Sequence, residues 1–202
     1  MNAPDLGVLP ASFAHVQPND IHIGLQAENL SQACNLLSAA LGISWAEPVG
    51  GWPVQVRMAG RDELEESEGR FTLSRQGPPY LELGQNVPGS PIWHSDGQPI
   101  SVHHLGFWVE DVEAASARLS EAGFPFEAGG LAADGQLRYA YHQVGGMRIE
   151  VCERSARDAF DRWGRTGDPN GATDVFMGAE QPAEPQTAGQ DSELSHTRSD
   201  EQ

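Results

Sequence analysis

The sequence has no lysine. Its 12 basic residues are all arginine, set against 29 acidic ones, for a net charge of −17 over 202 residues. Such a surface repels phosphate backbones and anionic headgroups, so nucleic acid and membranes are excluded as expected partners. Cysteine is scarce too: Cys34 and Cys152 stand alone, without metal-ligand spacing. The N-terminus lacks a basic segment followed by an apolar run, and no apolar stretch is long enough to cross a bilayer. These absences predict a soluble, cytoplasmic protein in a reducing compartment. What is present is an apolar content of 39%, enough for a core in a chain of this size.

The ends differ from the middle. Residues 1–19 are proline-bearing and aperiodic and read as an extended N-terminal arm. Residues 165–202 are rich in Gly, Pro, Ala, Thr and acids and poor in large apolar residues; they cannot bury enough surface to offset ordering and read as a disordered acidic tail.

The middle contains a repeat. HIGLQAENLSQACNLLSAA (22–40) aligns without gaps with HLGFWVEDVEAASARLSEA (104–122), an offset of 82 (104 minus 22). The identities are His22/His104, Gly24/Gly106, Glu28/Glu110, Ala33/Ala115, Leu37/Leu119, Ser38/Ser120 and Ala40/Ala122. Each copy is a short apolar strand followed by a helix. Asn29 and Asp111 stand where an N-cap oxygen is wanted, and Gly42 and Gly123 near the helix ends. Strand-like runs follow in both copies: WPVQVRM, RFTLSR and PYLELGQ, then FPFEAGG, LRYAYHQV and MRIEVCE. The organisation expected is a first βαβββ module over 20–86, a linker over 87–100, a second βαβββ module over 101–154 and a C-terminal helix over 155–164. The acidic run DELEESEG (62–69) reads as an exposed loop.

Strand alternation then selects candidate site residues. In SVHHLGFWV, successive side chains point to opposite faces. His104 aligns with His22, whereas His103 aligns with Ile21, on the face expected to pack on a helix. In YLELGQ and MRIEVCE the apolar sets occupy one face, leaving Glu82 and Glu150 on the other. Each half therefore contributes one imidazole and one carboxylate. Two nitrogen and two oxygen donors suit one divalent ion of zinc, nickel, cobalt, manganese or iron, and two carboxylates neutralise its charge. By the same alternation Trp108, Tyr80 and Arg148 share faces with these residues and are candidate substrate-binding groups. Arg57, with Gln55, is expected to look inward, because Val54, Val56 and Met58 occupy the other face of their strand. Tyr139 and Tyr141 share one face, left unassigned. His142, His94 and His15 have no counterparts in the other half and read as non-ligands.

HIGLQAENLSQACNLLSAALG, YLELGQ, HHLGFWVEDVEAASARLSEAG and MRIEVCE together resemble the vicinal oxygen chelate superfamily. That group includes glyoxalase I, methylmalonyl-CoA epimerase, extradiol dioxygenases and the bleomycin and fosfomycin resistance proteins. The resemblance covers residues 20–154. It implies an α+β fold in which paired βαβββ modules form a cup-shaped mixed/antiparallel sheet, with helices outside and one metal inside. It also implies that His22, Glu82, His104 and Glu150 are the ligands. Epimerases commonly carry glutamine at the place of Glu82, so the set leans toward the bacterial glyoxalase I pattern. The chemistry implied is isomerase or lyase action on a small carbonyl or thioester compound. Glu150 or Glu82 would be the catalytic base, passing a proton by way of a metal-stabilised enediolate. Two alternatives follow from the same likeness: a ferrous extradiol-type dioxygenase using His22, His104 and Glu150, and a small-molecule binding protein of the resistance type. Family members often form homodimers; with both modules on one chain, a single copy can complete a site.

Overall fold

The computed structural model of the protein describes residues 17–95 and 97–170. Of the arm expected at 1–19, residues 1–16, with His15, lie outside the described residues, as do residues 171–202 of the tail expected at 165–202; Arg165 and Thr166 of that stretch are helical instead. A short 3-10 turn, Pro18–Asp20, leads into β1 (Ile21–Ala27). Then come α1 (Leu30–Leu41), β2 (Val49–Met58), β3 (Glu65–Leu73) and β4 (Tyr80–Gln85). The second copy is β5 (Ile100–Val109), α2 (Val112–Glu121), β6 (Phe126–Leu131), β7 (Leu137–Val144) and β8 (Met147–Glu153), and α3 (Arg157–Thr166) follows. The fold is thus α+β, two βαβββ units with a mixed sheet.

The caps expected from the sequence start both module helices. The Asn29 side chain accepts from the Gln32 amide at 2.9 Å, and Asp111 from the Ala114 amide at 2.8 Å. Gly42 ends α1 with φ 70°, a backbone conformation that costs glycine nothing. The eight strands close in the order β1-β4-β3-β2-β6-β7-β8-β5. β1 with β4 and β5 with β8 are parallel; the other neighbours are antiparallel. The halves join along β1 and β5, from Ile21↔Phe107 to Ala27↔Ile100, and more briefly where Val56–Met58 meet Ala128–Gly130.

The helices cover only part of the outer surface. Leu30 and Ala33 of α1 pack with Ala27 and Leu83 of β1 and β4. Val112, Ala115 and Leu119 of α2 pack with Leu137, Ala140 and Val151 of β7 and β8. Inside, two apolar clusters share the space. One joins Tyr80, Trp108 and Cys152 to Phe160 and Trp163 of α3; the other joins Val56, Met58, Ala128 and Tyr141 to Ile92 and Trp93 of the inter-module segment. Trp163 is fully buried and donates its indole N–H to the Glu47 carbonyl at 3.0 Å.

Two expectations need correction. The run 62–69 is not all loop: β3 begins at Glu65 and pairs with β2 through Val56↔Glu65, Gln55↔Glu66 and Val54↔Ser67. Its exposure alternates residue by residue, so Glu66 and Glu68 line the wet face of a strand and Glu65 falls on the other face. Arg57 does not look inward. It reaches Glu113 on α2 at 3.5 Å and the Gly135 carbonyl, while Gln55 is exposed and bonds Glu66. Val56 and Met58 take the interior instead. The assignment assumed a helix over β2. The cores beneath α1 and α2 contain no β2 residue, so its outer face is polar.

Candidate metal centre

The seam between β1 and β5 determines which side chains meet. Its flanking strands are β4 and β8, so two rows of residues cross four strands side by side. One row runs Glu82↔Gly24↔His104, the other His22↔Gly106↔Glu150. Glycine occupies the centre of each row. A Cβ on Gly24 would collide with the His104 ring, and one on Gly106 with the His22 ring. The repeated His-x-Gly thus has a physical reason: each half's glycine vacates the space that the other half's imidazole fills.

The outcome is a buried cluster of His22, Glu82, His104 and Glu150, with one donor atom from each within 4.8 Å of all the others. His22 Nε2 lies 2.9 Å from Glu150 Oε2, 3.5 Å from Glu82 Oε2 and 3.1 Å from His104 Nε2. His104 Nε2 lies 3.3 Å from Glu82 Oε2 and 3.4 Å from Glu150 Oε2. Two donors each about 2.1 Å from one ion stand about 3.0 Å apart at a right angle and about 3.4 Å apart at the tetrahedral angle. The observed separations span that range, and the residue types suit a borderline divalent cation. The site fits one such ion.

Electrostatics point the same way. Burial disfavours a charged His22, but Glu150 and Glu82 outweigh it and raise the imidazole above its ordinary value. Burial pushes Glu150 up, but His104, His22 and a hydrogen bond from Tyr141 outweigh it and hold the carboxyl below the usual range. A site that raises a base and depresses an acid favours positive charge between carboxylates. His22 Nδ1 is buried and has no hydrogen-bond partner among the described residues.

The cluster opens to two hollows. A cavity of about 50 Å³ is lined by Val54, Phe71, Trp93, Tyr139, Tyr141 and both glutamates, among others. A second, of about 40 Å³, runs past His22, Trp108, Tyr139, Cys152 and Phe160. Trp108 therefore stands beside the cluster, its ring 5.5 Å from that of His22. Tyr80 is buried against Phe160 and bonds Asp161 at 3.0 Å; burial and that carboxylate push its phenol up to about 12. It lines neither cavity. Arg148 is turned to Glu127, 2.7 Å away, with its guanidinium 6.0 Å from the Tyr141 ring. Arg57 is on the outer face.

The expectation for His103 is overturned. The β1–β5 register steps from Gly24↔His104 to Leu25↔Val102, leaving His103 as an extra residue in a bulge. A bulge breaks strict alternation and re-aims side chains. His103 and His104 are both buried, their ring centroids 5.1 Å apart, and Tyr141 contacts each. His142, by contrast, lies apart from the cluster and bonds Ser116 and the Phe124 carbonyl. Tyr141, Tyr139, Phe160 and Trp93 are the site-lining residues that sequence reasoning left out. Only the aromatic alternation of LRYAYHQV offered a signal, without a face.

Comparison with known proteins gives three findings. Residues 21–141 match the family model described as glyoxalase/bleomycin resistance protein/dioxygenase superfamily; the match takes in His22, Glu82 and His104 and stops before Glu150. No curated protein matches. Among solved structures, methylmalonyl-CoA epimerase from Mycobacterium tuberculosis is similar, at 17% identity over 65% of this chain and 85% of that one, TM-score 0.44. A mutant of 4-hydroxymandelate synthase from Streptomyces coelicolor matches at 20% identity over 69% of this chain and 39% of that one, TM-score 0.42. A variant of the Streptomyces coelicolor epimerase in complex with 2-nitronate-propionyl-CoA matches at 15% identity over 65% and 94%, TM-score 0.43. Among the described residues, no helix is long and apolar enough to cross a membrane.

Proposed function

The chain belongs to the glyoxalase/bleomycin resistance protein/dioxygenase superfamily, and from that premise we propose that it is a metal-dependent isomerase or lyase acting on a small carbonyl or thioester compound. The observation that carries this reading is the meeting of two imidazoles and two carboxylates at one buried point beside a cavity. A divalent ion held by His22, Glu82, His104 and Glu150 supplies Lewis acidity, which lowers the cost of negative charge on substrate oxygens. The remaining work falls to the chain. Glu150 is the more firmly held carboxylate, fixed by His22 and Tyr141. Glu82 is then the base: it takes the proton alpha to the carbonyl and returns it to the neighbouring carbon. Trp93, Tyr139 and Phe71 exclude water from the proton in transit. Cytoplasmic placement and a homodimer belong to the same proposal.

A second reading, a ferrous extradiol-type oxygenase on His22, His104 and Glu150, is favoured by the aromatic lining of that cavity, which suits a flat ring. One set of measurements separates them. Metal analysis of the purified protein is followed by a deuterium-exchange screen over 2-hydroxy carbonyls, glutathione hemithioacetals and acyl-CoA thioesters. Exchange lost by at least a hundredfold in Glu82→Gln supports the isomerase. Iron, oxygen uptake with a catechol and tolerance of Glu82→Gln would replace it with the oxygenase. Absence of any bound metal and of any turnover would leave a binding protein.

A further inference from the structure

The bulge at His103 creates a chain of hydrogen bonds that ends at the cluster. His103 Nε2 lies 2.9 Å from the Ile92 carbonyl oxygen, and His103 Nδ1 lies 2.8 Å from His104 Nδ1. A carbonyl can only accept. The proton of that first bond therefore sits on His103 Nε2. His103 is buried, and none of its partners, the Ile92 carbonyl, His104 and Tyr141, is a carboxylate that could balance a second ring proton, so Nδ1 carries a lone pair. An acceptor at His103 Nδ1 requires a donor opposite, so His104 Nδ1 bears the proton. His104 Nε2, the ring's other nitrogen, is thereby turned to Glu82 and Glu150, 3.3 and 3.4 Å away.

We propose that His103 is a positioning residue: with the Ile92 carbonyl as its fixed end, it locks His104 in the Nδ1–H tautomer and aims Nε2 at the cluster. The inference rests on the metal reading for its purpose, while the place of the Nδ1 proton follows from the hydrogen-bond chain. Its polarity is set by a backbone atom of the inter-module segment, so the segment that links the halves also orients a ligand of the second half. A proton fixed on Nδ1 reserves Nε2 for a cation.

The test uses the full chain, labelled with nitrogen-15 and freed of metal by chelation. Long-range proton–nitrogen spectra at neutral pH distinguish a pyrrole-type from a pyridine-type ring nitrogen. His104 is expected with a pyrrole-type Nδ1; a pyridine-type His104 Nδ1, or a proton on His103 Nδ1, would overturn the proposal. Zinc and nickel titrations then compare wild type, His103→Leu and His103→Asn. Leucine removes the acceptor and is expected to weaken binding about 10- to 100-fold, the usual effect of losing a group that orients a ligand. Asparagine places an oxygen near the former Nδ1 and is expected to recover most of that loss. Equal affinities for Leu and wild type would overturn the lock. The stated tautomer in a wild-type protein that binds neither ion would sustain it while refuting the metal reading.

Discussion

His22 and His104 hold matching places in the two halves, yet their rings are fixed by different means. His22 is wedged by aromatic packing: ring centroids of Phe160 and Trp108 lie 5.1 and 5.5 Å away, and its Nδ1 has no partner among the described residues. His104 is tied by a hydrogen bond to His103, which is tied in turn to the Ile92 carbonyl. The duplicated parts supply the donors. The parts without a duplicate, α3 and the bulge with its inter-module anchor, orient them. Both rings meet Glu150 through Nε2, but only His104 has a partner that fixes the proton at Nδ1.

The largest expected effect breaks the packing arm of this contrast. Phe160 is buried in a cluster with Tyr80, Trp108 and Trp163. Phe160→Ala should cost about 3–5 kcal/mol in denaturant unfolding, from lost transfer energy plus the cavity left behind. Histidine spectra of the variant should show His22 in exchange between orientations while His104 keeps its Nδ1 proton. Equal disturbance of both rings would mean that α3 supports the whole cluster and that the two means are not separate.

The glycines sharpen the contrast at smaller cost. Gly24→Ala drives a methyl into His104 and Gly106→Ala drives one into His22. Overpacking of this kind costs about 1–3 kcal/mol. His104 is tethered at Nδ1 and cannot swing without breaking the bond to His103, so Gly24→Ala should be the more damaging in both melting temperature and zinc affinity. The reverse order would show that aromatic packing grips harder than the hydrogen bond.

How much of this was legible in the sequence depends on the kind of information each feature needs. The helix caps at Asn29 and Asp111 are local, and local rules found them. The inward direction of His22, His104, Glu82 and Glu150 followed from alternation plus a repeat, because both helices cover the strands that carry them. Alternation failed at His103, since a bulge is a mismatch of register between β5 and β1 and leaves no trace in either strand alone. It failed for Arg57 because facing depends on what covers β2, and water covers it. Phe160 falls within the C-terminal helix expected over 155–164, but its partner, His22, lies more than a hundred residues away, so nothing local marked it as part of the site.

The smallest expected effect extends the contrast to the helices. Position 116 on α2 is Ser116, and its repeat partner on α1 is Cys34. Ser116 meets His142 Nε2 at 2.9 Å, while His142 Nδ1 donates to the Phe124 carbonyl at 3.0 Å. Burial holds His142 below its ordinary value of 6.5. The folded chain therefore resists a proton that the unfolded chain accepts. The stability this group contributes is whole above pH 6.5 and is lost as pH falls from there toward the depressed folded value. His103 is depressed too and adds to acid loss of the whole fold, so the readout must be local. Amide exchange, corrected for intrinsic rate and compared at about pH 7.5 and about pH 5.5, should show α2 losing protection before α1. His142→Gln should remove that difference, because an amide offers both a donor and an acceptor without titrating. If α1 and α2 loosen together, the acid response belongs to the cluster between the halves, and the second helix has no weakness of its own.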